Sequence, residues 1–476
     1  MMQEATGVQP PTAANGVVPT WAPPPAAPPT ITVLHSRAEA EAYVASVCFK
    51  HGPPRLAGVE LEWLVYPAAA PWKPPDAATL AAALGPHTPS TLHPCSPAIP
   101  LPNGSVVTVE PGGQVELASP PLAGLSALDR TVKADVAELH RRLAAHGLHI
   151  EPRASDPIRP PTRILDLPRY RAMERAFDRI GPHGRSGMCS TAAVQVCLDA
   201  GEAAEIAHRW DTLHALGPVL LAAFANSPLL HGRRTGWKSS RMACWLAADP
   251  GRTAPPPPRT GDPATAWAER VLQTPLLCVR RSTGSWEVPD RVTFADWIGG
   301  ALSTRPTTAD LDYHVSTLFP PVRPRGHLEV RYVDGQPGRH WMLPIAMLVA
   351  LLSDPVVTDK ALELSEPAQG RWTSAARHGL DDRVLAGAAV GVFELACTAL
   401  RALGGPPEYL AELEDVTERR VRRGRCPADE AVPGETGVDR EPAPAGPPFA
   451  LRDGPAGPQR LPDHPDEPDS PEGARW

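Results

Sequence analysis

Alternating apolar and polar positions mark out three acidic strands. In Gly58-Val59-Glu60-Leu61-Glu62-Trp63 the apolar residues Val59, Leu61 and Trp63 fall on one side of an extended chain and Glu60 and Glu62 on the other, because successive strand side chains point to opposite faces. The pattern recurs from Val106 to Leu117, where two apolar strand segments flank Pro111-Gly112-Gly113 and carry Glu110 and Glu116 on either side of that turn. It returns in His327-Leu328-Glu329-Val330-Arg331-Tyr332, which sets Glu329 and Arg331 side by side. A fourth stretch, Met188 to Asp199, reads as a strand with Val194, Val196 and Leu198 on one side and Gln195 on the other. Leu148-His149-Ile150 reads as a short strand.

A period of three to four residues predicts the helices. Leu125, Leu128, Val132, Val136, Leu139 and Leu143 form one stripe, expected to lie across the back of the sheet. Further helices are predicted over 76–84, 170–180, 202–225, 341–352, 381–403 and 407–423. Ser36-Arg37-Ala38-Glu39 has the form of a capping box ahead of Tyr43, Val44, Val47 and Cys48. Trp286 to Pro289 and Thr293 to Ile298 predict a strand followed by a helix near the acidic face. Residues 1–30 and 426–476 are rich in Pro, Ala, Gly and acids without periodicity, so both ends are expected to be disordered around one domain over 31–425.

Composition narrows the classes. The 476 residues are 42% hydrophobic, ample for a large core. A net charge of -7 and the lack of a long basic run argue against nucleic acid as a partner. The apolar run Trp341 to Leu352 is shorter than the roughly 20 residues that span a bilayer, and no signal peptide is evident, so no membrane partner and a cytoplasmic location are expected. The eight cysteines contain no Cys-x-x-Cys pair, which points to reduced, buried thiols rather than a zinc site or a disulfide framework. Oligomeric state is open, with a monomer favoured.

The chemistry lies in the acids and the arginines. Carboxylates gathered on one face repel one another unless a cation sits among them, and oxygen ligands from several strands suit Mg²⁺ carrying a nucleotide phosphate. The plainer reading of each segment is the solvated side of an amphipathic strand, which three similar segments make less economical. An arginine two residues from a ligand glutamate, as Arg331 is from Glu329, is placed to neutralise a phosphoryl group in transit. Residues 229–245 gather His231, Arg233, Arg234, Lys238 and Arg241 around two glycines, a candidate cradle for phosphates or an amino-acid carboxylate, or else a solvated loop. Arg323 and Arg325 bring two further guanidinium groups beside Arg331. No Gly-x-x-x-x-Gly-Lys-Ser/Thr loop is present.

Gly58-Val59-Glu60-Leu61-Glu62, Glu110-Pro111-Gly112-Gly113-Gln114-Val115-Glu116-Leu117, Val194-Gln195-Val196-Cys197-Leu198-Asp199, Ala225-Asn226-Ser227-Pro228 with Arg241, and Leu328-Glu329-Val330-Arg331 follow the order seen in glutamate-cysteine ligases of the plant and bacterial type. The resemblance covers about residues 31 to 423 and is strongest to the actinobacterial members that make γ-glutamylcysteine for ergothioneine biosynthesis. It implies an α+β, glutamine synthetase-like catalytic domain: a curved, mainly antiparallel sheet forming a funnel, with helices outside. It implies ATP and Mg²⁺ as cofactors and L-glutamate and L-cysteine as substrates, joined through a γ-glutamyl phosphate. By motif position Glu60, Glu62, Glu110, Glu116 and Glu329 carry over as metal ligands, with Gln195 adjoining them. Arg331 carries over as the phosphate-contacting arginine beside Glu329, and Arg241 as a binder of carboxylate or phosphate, with Lys238, Arg323 and Arg325 as further cationic candidates. A related ligase with another acceptor amine and an inactive ligand-binding homologue are the alternatives.

Overall fold

A computed structural model describes residues 31–258 and 261–430 of the chain. The expectations for residues 1–30 and 431–476 fall outside that range. The strands, in chain order, are β1 Ala57–Pro67, β2 Val106–Val109, β3 Val115–Ala118, β4 Leu148–Glu151, β5 Ala193–Leu198, β6 Leu229–Leu230, β7 Arg233–Arg234, β8 Val322–Pro324 and β9 Leu328–Asp334. Seven of them form one antiparallel sheet in the order β2-β3-β1-β5-β9-β8, with β4 also paired to β1, and β6 and β7 make a separate hairpin. The architecture is therefore α+β, with an open antiparallel sheet rather than a closed barrel.

One face of the sheet is apolar. Val59, Leu61, Val107, Val109, Val115, Leu117, Val194, Val196, Leu198, Leu328, Val330 and Tyr332 are all buried, as the alternation requires for a face covered by helices. The helices Leu125–Ala145 and Ile206–Phe224 supply that cover. Trp63 meets His140 edge-on at 6.1 Å, and the Tyr332 hydroxyl donates to Leu213 O at 3.1 Å. The predicted helices appear with shifted ends, the one expected over 202–225 beginning only at Ile206. Ser36 caps Arg37–Cys48 through the Glu39 amide, while the Glu39 carboxylate accepts from the amide of His35 rather than of Ser36.

Several segments differ from the sequence reading. Met188 to Ser190 end a helix, His183–Ser190, that the glycine-rich run begins, so the strand starts only at Ala193. Trp286 to Pro289 join no ladder, with Trp286 O accepting a single amide from Val279. Residues 426–430, assigned to the tail, continue the fold as a turn whose Ala428 amide donates to Ala225 O at 2.9 Å. The helix Arg383–Ala402 is long and apolar enough to cross a bilayer by composition. Its Leu385, Ala389, Val392, Phe393 and Ala396 are buried in the core, and Glu394 and Arg401 on its other side pair with Arg422 and Glu414, the pattern of a core helix.

The Pro-Gly-Gly turn between β2 and β3 abuts the end of helix His183–Ser190. A Cβ on Gly112 would lie 2.1 Å from Cys189 O, and Gly113 adopts φ +89°, a conformation open chiefly to glycine. Gly112→Ala should therefore lower stability by about 1–3 kcal/mol, read from the midpoint of urea denaturation.

Candidate active site

The register of the sheet brings the acids together. Directly opposed residues of an antiparallel pair share a face, and Glu62 lies opposite Glu116, Glu60 opposite Gln195, and Thr108 opposite Glu116. On β9, Glu329 is opposite Cys197 of β5, which places Arg331 on the same side. Glu110 enters from the turn, whose amide donates to Gln114 O at 2.8 Å. Glu60, Glu62, Glu110, Glu116, Gln195, Arg241, Arg323, Arg325 and Arg331 all line one cavity of about 270 Å³. Its opposite wall comes from Arg169, Tyr170 and Met173 of helix Pro168–Ile180, Met188, Trp245 and Phe319.

The acids of the cavity fall into two electrostatic classes. Burial, then the charge of Glu329, raises Glu60 to about 7; burial, then Glu62, raises Glu110 to about 7. Glu62 is raised chiefly by burial, and Glu116 well above the usual range by burial and then by Glu60, Glu110 and Glu62. Two neutral donors soften this repulsion: Gln195 Nε2 donates to Glu62 at 2.6 Å and the Thr108 hydroxyl to Glu116 at 2.7 Å. On the other side, Arg323 grips Glu329 through two bonds of 2.9 and 2.8 Å, a bidentate fork, and Arg331 donates to both Glu329 and Gln195. Burial opposes ionisation of Glu329, but Arg323 and Arg331 outweigh it and hold its carboxyl well below the usual range.

Glu329 thus differs from the other four acids. It is fully buried and bound to arginines, whereas Glu60, Glu62, Glu110 and Glu116 line the cavity itself. Among the described residues no group of three or more His, Cys, Asp and Glu is drawn tightly enough to form a finished metal cage. The donor set nevertheless suits a hard cation, being four half-buried, cavity-lining carboxylates of raised proton affinity with an amide beside them.

The segment 229–245 divides. Arg241 sits on helix Ser240–Ala248, buried, donating Nη2 to Arg331 O at 2.7 Å, with Nε unpartnered. Lys238 is the correction: it does not line the cavity but pairs with Asp429 and, at 3.1 Å, with Asp381. Arg233 and Arg234 are exposed on the hairpin, and the His231 amide donates to Asp156 O, so these residues form no cradle. Arg325 is half-exposed at the rim, 3.9 Å from Glu329.

Sequence reasoning missed two groups. Arg169 and Tyr170 begin a helix recognised by period, and nothing in that period says which turn faces the acids; Arg169 is held by Ser316 through bonds of 3.1 and 3.0 Å. Asp334, at the end of β9, accepts from the Asn226 amide at 2.9 Å and the Ser227 and Ser239 hydroxyls at 2.7 and 2.9 Å. It explains why Asn226-Ser227 accompanies Arg241, whose Nη1 is 3.7 Å from the same carboxylate.

A family model described as glutamate-cysteine ligase family 2 matches residues 56–441, so the chain belongs to that family of ligases. Glutamate–cysteine ligase EgtA of Mycobacterium tuberculosis (strain CDC 1551 / Oshkosh) is 40% identical over 413 residues, 85% of this chain and 91% of that protein. The chloroplastic glutamate–cysteine ligase of Brassica juncea is 29% identical over 289 residues, 58% of this chain and 55% of its own length. The solved structure of glutamate–cysteine ligase from Francisella tularensis in complex with AMP aligns at 12% identity and a TM-score of 0.46, over 80% of this chain and 85% of that one.

Two outcomes follow from the geometry. Because Glu60 and Glu110 carry raised pKa values of about 7, the folded state binds more protons than the unfolded one between about pH 4.5 and 7. With a chelator present, Tm should fall as pH rises through that window, Mg²⁺ should raise Tm more at about pH 8 than at about pH 5, and the Glu60→Gln, Glu110→Gln double variant should flatten both trends. Lys238→Ala should lower stability by about 1 kcal/mol and leave nucleotide affinity unchanged, measured by denaturation and by nucleotide titration.

Proposed function

We propose that this chain joins the γ-carboxylate of L-glutamate to the amine of L-cysteine at the expense of ATP, releasing γ-glutamylcysteine, ADP and phosphate, as a step toward ergothioneine. The observation that carries this reading is the pairing of four carboxylates with a bank of arginines in one cavity, in a chain 40% identical to a protein named glutamate–cysteine ligase EgtA. The γ-carboxylate attacks the terminal phosphate of ATP to give γ-glutamyl phosphate, and the cysteine amine then displaces phosphate and leaves an amide. Neither step calls for a nucleophile from the protein. Alignment of two anions and neutralisation of their charge are what the site supplies.

Glu60, Glu62, Glu110 and Glu116 would hold Mg²⁺, whereas Glu329, expected as a further ligand, has both oxygens taken by Arg323 and Arg331 and would serve to position those arginines. A Mg²⁺ ion held by the four carboxylates would supply positive charge that lowers the repulsion between the triphosphate and the attacking carboxylate. Arg331 presents a planar guanidinium fixed between Glu329 and Gln195, so its orientation toward a phosphoryl group is set before substrate arrives. Arg241, buried with an unpartnered Nε, takes a phosphate or carboxylate oxygen, and Arg323 and Arg325 add positive potential at the same end. A cytoplasmic location is part of the reading.

The test is ADP release with glutamate and a panel of amines. Turnover should require cysteine; equal turnover with other amines would replace cysteine as the acceptor. Glu60→Ala should abolish Mg²⁺-dependent turnover while leaving Tm unchanged or raised, since it removes like-charge repulsion. Arg331→Lys should bind ATP within a few-fold of wild type yet lose on the order of 10²–10³ in kcat, because a point charge does not reproduce the fork. A defect confined to ATP affinity would remove Arg331 from phosphoryl transfer.

A further inference from the structure

Gln114 is fully buried, at 2% exposure, and lines the acidic cavity between Glu110 and Glu116. On β3 and its approach, Val115 and Leu117 point into the core, so Gln114 shares the other face with Glu116. Its amide nitrogen donates to Thr191 O at 2.9 Å and to Met188 O at 3.3 Å. Both carbonyls belong to the end of helix His183–Ser190 and the residue following it, the same backbone against which Gly112 packs. Flipping the amide would aim Oε1 at two carbonyl oxygens, so the orientation is forced by its partners. That leaves Oε1 as a buried acceptor with no hydrogen-bond partner, an arrangement that costs stability unless a ligand completes it.

The acceptor selects the ligand. Oε1 can only accept, so the group that completes it is a donor, and an ammonium N–H makes the stronger, charge-assisted bond. Resting on the ligase reading above, we propose that Gln114 Oε1 is a specificity determinant that accepts a hydrogen bond from the α-amino group of an amino-acid substrate. Both glutamate and cysteine carry such a group. The site then distinguishes an amino acid from its deaminated analogue, because the analogue leaves the acceptor unpaired in a buried setting.

The test is a comparison of affinities for two pairs, glutamate against glutarate and cysteine against 3-mercaptopropionate, as competitive inhibition constants in the full-length enzyme with Mg²⁺ and ATP. Wild-type turnover with glutamate and cysteine is established first; its absence would count against the ligase reading and not against Gln114. Gln114→Met, of similar length and without the acceptor, should reduce the preference for the amine-bearing member of one pair by about ten- to a hundredfold, as for a hydrogen bond to a charged group. The affected pair identifies which substrate donates. Gln114→Asn keeps an amide but draws the acceptor back by one methylene and should lose the same preference, and it carries the test if the methionine variant does not accumulate. A parallel loss for all four compounds, or a change in Mg²⁺ requirement with both preferences intact, would overturn the proposal.

Discussion

Like charges held inside a protein have to be answered within a few ångströms, and the architecture around this cavity is organised by that requirement. Glu60, Glu62, Glu110 and Glu116 all show raised proton affinity from burial and from one another. Arg323 and Arg331 enclose Glu329, while Arg241 and Arg331 work against burial at Glu62 and Arg331 and Arg169 at Glu110. That counter-charge is partial, so the four carboxylates stay ready for a cation and the arginines beside them for an anion.

Rigid support holds these charges in place. Helices on the apolar face clamp the sheet, with Tyr332 locked by Leu213 O and by the Trp372 ring at 5.6 Å. Asp334 gathers Asn226, Ser227 and Ser239 at the end of β9 and so fixes the start of the helix that carries Arg241. Lys238, one residue before Ser239, ties this region to the turn at 427–429 through Asp429. Cys426 joins the last of these tethers, its Sγ donating to Asp429 at 3.3 Å; all eight cysteines are free thiols, six of them buried.

Membership of glutamate-cysteine ligase family 2 fits this division of labour. Ligation through an acyl phosphate asks for charge management and alignment, and acids on neighbouring strands supply both with little cost in chain entropy once the sheet exists. The remaining wall, with Arg169, Met188, Trp245 and Phe319, is built from helix and loop residues, where sites commonly carry their variable contacts.

Strand alternation was enough to assign Glu60, Glu62, Glu116, Glu329, Arg331 and Gln195 to polar faces, because a period of two is a local property of an extended chain. Helical stripes likewise marked most helices, though not their ends, and Met188 to Ser190 passed for strand because a short apolar run lacks the length to show a period of 3.6. The sequence alone determined that several acid-bearing strands exist and which family their order resembles. Only the tertiary structure decided which cations answer them. Lys238 and Arg241 are three residues apart, yet one pairs with Asp429 near the end of the described chain and the other turns into the cavity. Arg169 reaches the site from a distant helix, and Glu329 withdraws behind two arginines. The placements of Lys238 and Arg169 depend on packing between segments more than a hundred residues apart, and the energy of a charge is set by what surrounds it in space, to which periodicity along the chain is blind.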